Sequence, residues 1–564
     1  MKKFLSILIS IILVLSVMPT ASIAAEEDSL KITVANDLHL DLVSAKAEKV
    51  EKTNTINADY PHASNGGQLH YESEAIIDSF FSTAAENDSD YLLLVGDLTH
   101  HGTKEEHLAL SEKLMRFEAL SGKKVFVAPG NHDYRDTTPE QFMDYYSEFG
   151  YGDAIELHEE NASYVAELDS EYRLLVIDAN VPGEDRHGMT EELKQWITAQ
   201  GEKAIADGKK MIAAIHHNFV EHIFLGGTLY NGSVIKEKEY GIGELFASLG
   251  IRYTFTGHTH QHDVASFTAK DGTKIYSVVT SSLNAYPCPY RNVSFGDKVE
   301  ITTEKVQSID TSVLPSGITD VAMKAAQEDF QAYAKTCTYT GLKYRLYACT
   351  TAEGILTLTK IEDEQMKAIL EKVGTRLEKV LNMPIYEKDA QAEGESVEAL
   401  AKMYKTTLPE TEFATILDLL TYFYQSNSEG DEYNPAYSNE VILLTRTVAV
   451  ALNYTLAEVS DEEFAQALSF ASGLLGVKLS ADLFMYVGSG LKRFEGCEIF
   501  VTTAVIPFIR EFGTDNAPAD NNVTLEGYTA LGEPLPEKDF FSVIFEFIKA
   551  LLETLKTLLA LLPW

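Results

Sequence analysis

The chain has 564 residues, too many for a single hydrophobic core, so two or more domains are expected. Its hydrophobic fraction of 45% is typical of globular proteins and excludes a chain that is disordered overall. The formal net charge of −39 at pH 7 opposes binding to duplex nucleic acid, which attracts basic surfaces.

The N-terminal residues predict export. Lys2 and Lys3 precede an apolar run over residues 4–18, and the small residues Ser22 and Ala24 stand where signal peptidase cuts. We therefore predict a bacterial-type signal peptide over residues 1–25 and a mature protein that is secreted or associated with the cell envelope. A retained membrane anchor is the alternative interpretation of the same run.

Residues 26–307 alternate between strand and helix patterns. The apolar runs typical of buried strands are Leu30–Ala35, Tyr91–Val95, Lys124–Ala128, Met211–Ile215 and Tyr253–Thr256. Helical periodicity separates them at Ser73–Glu86, Lys104–Leu120 and Glu191–Ala206. Further strand patterns are Tyr164–Leu168, Arg173–Asp178, Ser266–Thr268, Ile275–Thr280 and Asn292–Ile301. Because βα units give way to β-hairpins, we predict a layered α/β sandwich.

Residues 308–513 have helical periodicity. The predicted helices are Val321–Ala334, Asp363–Leu381, Glu410–Gln425, Asn439–Leu452, Asp461–Leu475 and Lys492–Phe512. They carry apolar stripes and acidic faces without clusters of potential ligands, so we predict one or two all-α accessory domains. Pro518, Pro534 and Pro536 mark residues 514–538 as a polar linker.

Residues 539–564 predict an amphipathic C-terminal helix. Its polar stripe contains Glu546, Lys549, Glu553 and Lys556, and nearly every other position is apolar. Four charges argue against a membrane span, but an apolar surface of this breadth needs a partner. We expect the body of the protein, a second copy or a membrane surface to cover residues 539–562.

Short clusters of Asp, His and Asn follow five of the predicted strands. They are Asp37-Leu38-His39, Gly96-Asp97, Gly130-Asn131-His132-Asp133, His216-His217 and Gly257-His258-Thr259-His260. The carboxyl ends of strands in an open α/β sheet form the edge at which ligands bind. Carboxylate, amide and imidazole groups gathered there predict a site for divalent metal ions.

Together these clusters resemble the signature of the calcineurin-like metallophosphoesterases, over roughly residues 30–302. Residues 282–291 further resemble an exported bacterial branch that includes class III cyclic-nucleotide phosphodiesterases, some of which carry a helical C-terminal domain. The resemblance implies a centre of two divalent metal ions, whether Mn, Fe or Zn. The ligands it implies are Asp37, His39, Asp97, Asn131, His216, His258 and His260, with Asp97 bridging both ions.

The same resemblance implies a phosphoesterase. Two cations roughly 3.5–4 Å apart lower the pKa of a shared water and so supply a hydroxide that attacks phosphorus in line. His132, next to Asn131, is placed to protonate the leaving oxygen. Arg291 and His217 are weaker candidates for binding the substrate phosphate.

One position departs from related enzymes. Three residues after the bridging aspartate, purple acid phosphatases have a tyrosine, and the protein serine/threonine phosphatases have an aspartate that supports the proton-donating histidine. Here the residue is His100. A tyrosinate-bound ferric ion is therefore disfavoured, and the sequence leaves open which group orients His132.

We predict that the substrate is a small phosphodiester or phosphomonoester, such as a cyclic nucleotide or a nucleotide. A lipid-headgroup phosphodiesterase, suggested by the apolar C-terminal helix, and a nuclease are the alternatives. A surface-binding protein with a vestigial phosphoesterase domain is a further alternative, and the intact ligand set argues against it.

Overall fold

The computed structural model describes residues 29–46, 54–158, 160–180, 188–220, 222, 241–359, 361, 363–392, 394–430, 435, 438–466 and 518–528. The predicted signal peptide, the predicted helix Lys492–Phe512 and the predicted C-terminal helix lie outside these residues. Among the helices that are described, none combines the length and the apolar character needed to cross a membrane.

The strands alternate with helices up to residue 305. They are β1 (Leu30–Ala35), β2 (Tyr91–Val95), β3 (Lys124–Ala128), β4 (Ala154–Leu157), β5 (Tyr164–Glu167), β6 (Tyr172–Ile177), β7 (Lys210–Ile215), β8 (Tyr253–Thr256), β9 (Asp263–Thr268), β10 (Lys274–Val279), β11 (Pro289–Phe295), β12 (Lys298–Lys305) and β13 (Asn522–Glu526). Strands β1, β2, β3 and β8 have the predicted bounds. The single strand predicted over Asn292–Ile301 is wrong, because a turn at Gly296 divides it into β11 and β12.

The helices are α1 (Leu42–Lys46), α2 (Ser73–Glu86), α3 (Lys104–Ser121), α4 (Pro139–Tyr145), α5 (Glu191–Ala206), α6 (Gly241–Ser248), α7 (Asp320–Glu328), α8 (Phe330–Thr350), α9 (Ala352–Thr359), α10 (Glu364–Leu381), α11 (Val397–Met403), α12 (Ile416–Ser426) and α13 (Asn439–Leu456). The single helix predicted over Val321–Ala334 is wrong at Asp329. This residue has an extended backbone and its side chain accepts a hydrogen bond from the Ala332 N–H, so it ends α7 and caps α8.

Two mixed sheets form the first domain. Strands β1, β2 and β3 are parallel within a six-stranded sheet of order β13-β12-β11-β1-β2-β3. Strands β6, β7 and β8 are parallel within a seven-stranded sheet of order β4-β5-β6-β7-β8-β10-β9. Both sheets contribute buried side chains to one core, for example Val34 from β1 and Phe255 from β8. The loops that follow β1, β2, β3, β7 and β8 therefore carry all five of the predicted clusters.

Helices flank the two sheets. Phe80 of α2 packs against Tyr290 of β11, with 4.9 Å between the ring centroids. On the second sheet, Ile197 of α5 and Phe246 of α6 join a separate buried cluster with Ile215 of β7. Among the described residues, α2 and its neighbour α3 cover the first sheet, and α5 and α6 cover the second. This arrangement confirms the predicted layered α/β architecture.

Helices α10 to α13 have a core of their own. It contains Leu381, Ile416 and Leu444, which are almost fully buried. The region between α8 and α13 is therefore helical, as predicted.

The prediction of a polar linker is wrong for residues 518–528. Strand β13 pairs antiparallel with β12, so this segment extends the first sheet. Tyr528 follows it, donates a hydrogen bond to the Met211 carbonyl at 2.7 Å and packs against Tyr253. The two apolar residues of β13, Val523 and Leu525, alternate with polar ones in a five-residue strand, which is too weak a pattern to separate from a loop.

Candidate metal centre

The backbone is strained where the predicted ligands lie. Asp37, His39, Asp97, His258 and His260 all have φ between 44° and 69°, a left-handed conformation that is unusual for residues other than glycine. Each such residue costs on the order of 1–3 kcal/mol, and strain of this kind concentrates at functional sites. Five of the seven predicted ligands share this conformation.

Glycine is required beside the ligands. Gly96 has φ of +81°, and a Cβ at this position would overlap the ring of His216. A Cβ on Gly130 would overlap Asp97. The two glycines therefore let three loops approach one another closely enough to share a site.

The first group of ligands is Asp37, His39 and His260. The Nε2 atoms of His39 and His260 are 3.2 Å apart, and the Nε2 atom of His260 is 3.3 Å from Asp37 Oδ1. Asp37 and His39 are almost completely buried, whereas His260 is partly exposed. These three side chains can hold one ion.

The second group of ligands is Asp97, His216 and His258. Asp97 Oδ2 lies 3.4 Å from His216 Nε2 and 3.8 Å from His39 Nε2, so this carboxylate faces both groups. The Nδ1–H of His216 donates a hydrogen bond to the Val95 carbonyl at 2.9 Å, which leaves Nε2 for the site. The structure thus brings the predicted bridging residue between the two groups.

The donor atoms fit divalent metal ions. Asn131 Oδ1 and His216 Nε2 are buried and have no hydrogen-bond partner among the residues that the structure describes. A buried polar atom without a partner costs about 1–3 kcal/mol, and a bound cation would supply the missing partner. Carboxylate, amide oxygen and imidazole together form a ligand set typical of Mn, Fe and Zn sites.

The electrostatics of the protein favour cations here. Burial alone would lower the pKa of His216, but Asp97 and Asp37 outweigh it and raise this pKa to about 10. The same two buried carboxylates attract a metal ion. Burial, together with the nearby His132, holds the pKa of His39 well below its usual value, so this imidazole is in the neutral form that binds metals.

The structure shows what orients His132. Its Nδ1–H donates a hydrogen bond to the backbone carbonyl of His100 at 2.9 Å, and its backbone N–H donates to Asp97 Oδ1 at 2.7 Å. Its Nε2 accepts a hydrogen bond from the guanidinium of Arg135, which lies on the exposed surface, at 2.9 Å. Burial lowers the pKa of His132; Asp97 opposes this shift and Arg135 adds to it.

Asp133 joins the loops behind the ligands. It is fully buried and accepts hydrogen bonds from the backbone N–H groups of Leu98, Thr99 and Gly130. Because burial and the nearby Asp97 disfavour its charged form, the pKa of Asp133 is raised to about 7. In the sequence this residue is part of the cluster after β3, without a signal for a role of its own.

The predicted phosphate contact of Arg291 is wrong. Its side chain is completely buried and donates hydrogen bonds to the Val279 carbonyl at 2.9 Å, to the Asp520 carbonyl and to Thr280. It thus ties β11 to β10 and to the segment before β13. An arginine in a strand has the same sequence signal whether it faces the site or the core.

His217 does not lie on the wall of the cavity beside the ligands. It is 1% exposed, and its ring lies 4.5 Å from the ring of His258. The structure therefore does not support a substrate contact for it. Its neighbour His216, at the end of β7, lies instead with Asp97 and His258 in the second group of potential ligands.

A second group of histidines adjoins the centre. The rings of His70 and His100 are 4.2 Å apart, and His70 Nδ1 lies 3.3 Å from Asp41 Oδ2. His100 also lies 5.1 Å from the ring of His132. The sequence did not reveal this group, because His70 follows a long polar segment and carries no motif.

Replacing Gly96 with alanine should remove the second metal ion. The Cβ would displace His216, while Gly208→Ala serves as the matched control because Gly208 has a φ of +72° and open space around it. Both variants should lose about 1–2 kcal/mol of stability from the left-handed backbone. Metal content by plasma mass spectrometry and turnover should fall only in Gly96→Ala; equal losses in both variants would contradict the proposed role of Gly96.

The fold and the ligand set define a phosphoesterase with a candidate dinuclear metal centre. Residues 30–262 match the family described as calcineurin-like phosphoesterase, whose members hydrolyse phosphate esters.

Several solved structures are similar to the chain. A dimetal phosphatase from Danio rerio is 10% identical, with a TM-score of 0.36 over 49% of this chain and 95% of that one. A putative 5'-nucleotidase from Staphylococcus aureus is 12% identical, with a TM-score of 0.31 over 53% of this chain and 58% of that one. The NAD nucleotidase of Haemophilus influenzae is 13% identical, with a TM-score of 0.29 over 67% and 68%. At these scores they add nothing to the family match. No curated protein sequence matches the chain at a significant level.

Proposed function

We propose that the protein is an exported phosphoesterase that uses two divalent metal ions to hydrolyse small phosphodiesters or phosphomonoesters, such as cyclic nucleotides or nucleotides. The observation that carries this proposal is the pair of ligand groups with Asp97 between them. The adjoining cavity has a volume of about 260 Å³, which suits a small ester. The acidic chain also disfavours a polynucleotide substrate.

The side chains divide the work as follows. Asp37, His39 and His260 would hold one cation, Asn131, His216 and His258 the other, and Asp97 both. When bound, the two cations activate a water molecule as the nucleophile and neutralise the phosphate oxygens. His132 lines the cavity beside Asn131 and gives a proton to the leaving oxygen as its bond to phosphorus breaks. Before this transfer Arg135 must release Nε2, which then takes up a proton from water. The exposed position of Arg135 allows its side chain to turn away.

A substrate panel tests the proposal. The full chain, reconstituted with Mn, Fe or Zn, is assayed on an aryl phosphate, a bis-aryl phosphate, cyclic nucleotides and lipid-headgroup esters. We expect turnover of the small aryl and nucleotide esters. Preference for the lipid-headgroup esters would favour the alternative function. No turnover of any ester by protein with both metals bound would contradict the proposal and indicate a vestigial domain.

The predicted C-terminal helix is proposed to attach the protein to a membrane surface or to a second copy. The two glutamates and two lysines of its polar stripe cancel, so apolar contact rather than charge would drive the attachment.

Truncation after Glu537 tests this attachment, and it leaves β13 and Tyr528 in place. Turnover and Tm should stay unchanged, while co-sedimentation with liposomes or self-association by analytical ultracentrifugation should be lost. The helix would instead belong to the core if two results were found together. The truncated protein would lose turnover, and the full-length protein would be monomeric and would not bind liposomes.

A further inference from the structure

The cavity beside the metal centre has two walls from different parts of the chain. One wall belongs to the phosphoesterase domain and includes Asn131, His132 and His260. The other belongs to the helical region, with Leu342 and Arg345 from α8. Tyr424, near the end of α12, lines the same wall. The helical region, in which the sequence showed no ligand cluster, therefore takes part in the site.

Hydrogen bonds at the end of α12 fix the second wall in place. The Asn427 carbonyl accepts a hydrogen bond from the His262 N–H at 2.9 Å, and the Ser428 carbonyl accepts one from the Ser281 hydroxyl at 3.0 Å. The contact positions the wall within two residues of the ligand His260.

Helix α8 is anchored in the same way. The Thr338 hydroxyl donates a hydrogen bond to the Gly67 carbonyl at 2.8 Å and accepts one from the Tyr286 N–H at 3.0 Å. Gly341, one turn further along, lies so close to Ser64 that a Cβ would overlap its carbonyl oxygen. Arg345 follows on the next turn, so its position over the cavity is set by a rigid helix.

Arg345 differs from the neighbouring cations of the helical region. Lys335 pairs with Glu429 at 3.3 Å, and Lys343 pairs with Asp418 at 2.5 Å. The structure gives Arg345 neither a hydrogen bond nor an ion pair with any residue that it describes. It is also the one lysine or arginine among the described residues that line this cavity. Its side chain is exposed and lines the same cavity as Asp97 and His260, so it is open both to solvent and to an anion bound there.

We propose that Arg345 binds an anionic oxygen of the substrate, so that the helical region completes the substrate site. The ligand chemistry is a phosphate or carboxylate oxygen, which the planar fork of a guanidinium recognises with two parallel hydrogen bonds. Arg345 thus takes the role that the sequence suggested for Arg291. The proposal rests on the proposed function for the identity of the substrate, but anion binding itself can be measured without turnover.

The anion has two possible sources. It is either the scissile phosphate or a second anionic group elsewhere on the substrate. Phenyl phosphate and 4-carboxyphenyl phosphate separate these sources, because they differ by one carboxylate. For each ester we compare the KM of the variant with that of the wild type, so the difference between the two leaving groups does not affect the comparison.

The test uses the full chain reconstituted with metal, in the variants Arg345→Ala and Arg345→Lys. Arg116→Ala is the matched control, since Arg116 is an exposed arginine on α3 outside the cavity. Affinity for inorganic phosphate is measured by titration calorimetry, and KM and kcat are measured for both esters. Metal content and Tm should match those of the wild type in all three variants.

Arg345→Ala should weaken binding roughly 10- to 100-fold, the usual effect of losing hydrogen bonds to a charged group. A rise in KM for both esters, with weaker phosphate binding, assigns Arg345 to the scissile phosphate. A rise for the carboxylated ester alone assigns it to a second anion. Partial recovery in Arg345→Lys would show that charge is responsible.

The proposal would be overturned if Arg345→Ala kept the wild-type phosphate affinity and both wild-type KM values. It would also be overturned if Arg116→Ala weakened phosphate binding and raised KM as much as Arg345→Ala does. If the wild type hydrolyses neither ester, phosphate affinity alone decides the anion site: weaker binding in Arg345→Ala supports it and unchanged binding overturns it. The proposed function is decided separately by the substrate panel.

Discussion

Asp97→Asn should abolish turnover and weaken the binding of both metal ions. The change preserves the shape of the side chain, and the remaining oxygen can still accept the hydrogen bond from the His132 N–H. Asparagine also tolerates the left-handed backbone at this position, where φ is +49°. What is lost is the negative charge that faces both His39 and His216.

The expected loss of metal affinity exceeds the roughly 10- to 100-fold that follows changes to groups outside the ligand set. Metal content after dialysis and initial rates on an aryl phosphate measure both effects. Asp88→Asn is the matched control, because Asp88 is an exposed carboxylate in the same domain that pairs with Lys31. Full metal occupancy with normal turnover in Asp97→Asn would refute the bridging assignment.

His132→Ala should reduce turnover while both metal ions stay bound. General acid catalysis contributes about 10²- to 10⁴-fold, and this is the expected loss for an ester with a poor, alkoxide-like leaving group. The loss should be much smaller for a nitrophenyl ester, because that leaving group departs without a proton. None of the metal-ligand atoms is removed, so metal content should equal that of the wild type.

The dependence on the leaving group separates proton donation from a role in structure. His158→Ala is the control for histidine removal, since His158 lies beside Trp196 and not beside the metal centre. Equal losses on alkyl and nitrophenyl esters would count against His132 as the acid. Loss of metal in His132→Ala would show instead that the imidazole, whose Nε2 lies 3.8 Å from Asp97 Oδ2, supports the ligands.

The ligand-bearing loops could be located from the sequence for a physical reason. Strands such as β2 and β3 are buried in a parallel sheet, so they are continuous apolar runs. A cluster such as Gly96-Asp97 cannot continue such a run into a core, because a buried carboxylate requires partners. Polar clusters at the ends of apolar runs therefore mark both the end of each strand and the edge of the sheet that carries the site.

The group that orients His132 could not be found in this way. A related enzyme uses a side chain, but here the acceptor is the backbone carbonyl of His100. Every residue has a backbone carbonyl, whatever its side chain, so the sequence holds no signal for this contact. Only the path of the loop after β2 decides which carbonyl reaches the imidazole.

Arg291 and Arg345 are a second case in which the sequence could not indicate the role of a residue. Both are arginines in regular elements, yet one is buried between sheets, where carbonyls satisfy it, and the other lines the cavity without a partner among the described residues. A guanidinium serves equally well in either place. Their roles follow from which elements pack together, and periodicity within one element carries no information on that.

The sequence alone therefore indicated where the polar clusters lie and the layered architecture of the first domain, since each depends on local order: apolar run, turn, then Asp, His or Asn. The tertiary structure alone decided the pairing of β13 with β12 and the placement of α8 and α12 over the metal centre. Both depend on contacts between residues far apart in the chain. The free energy of such contacts comes from the complementarity of two surfaces, and neither segment encodes this by itself.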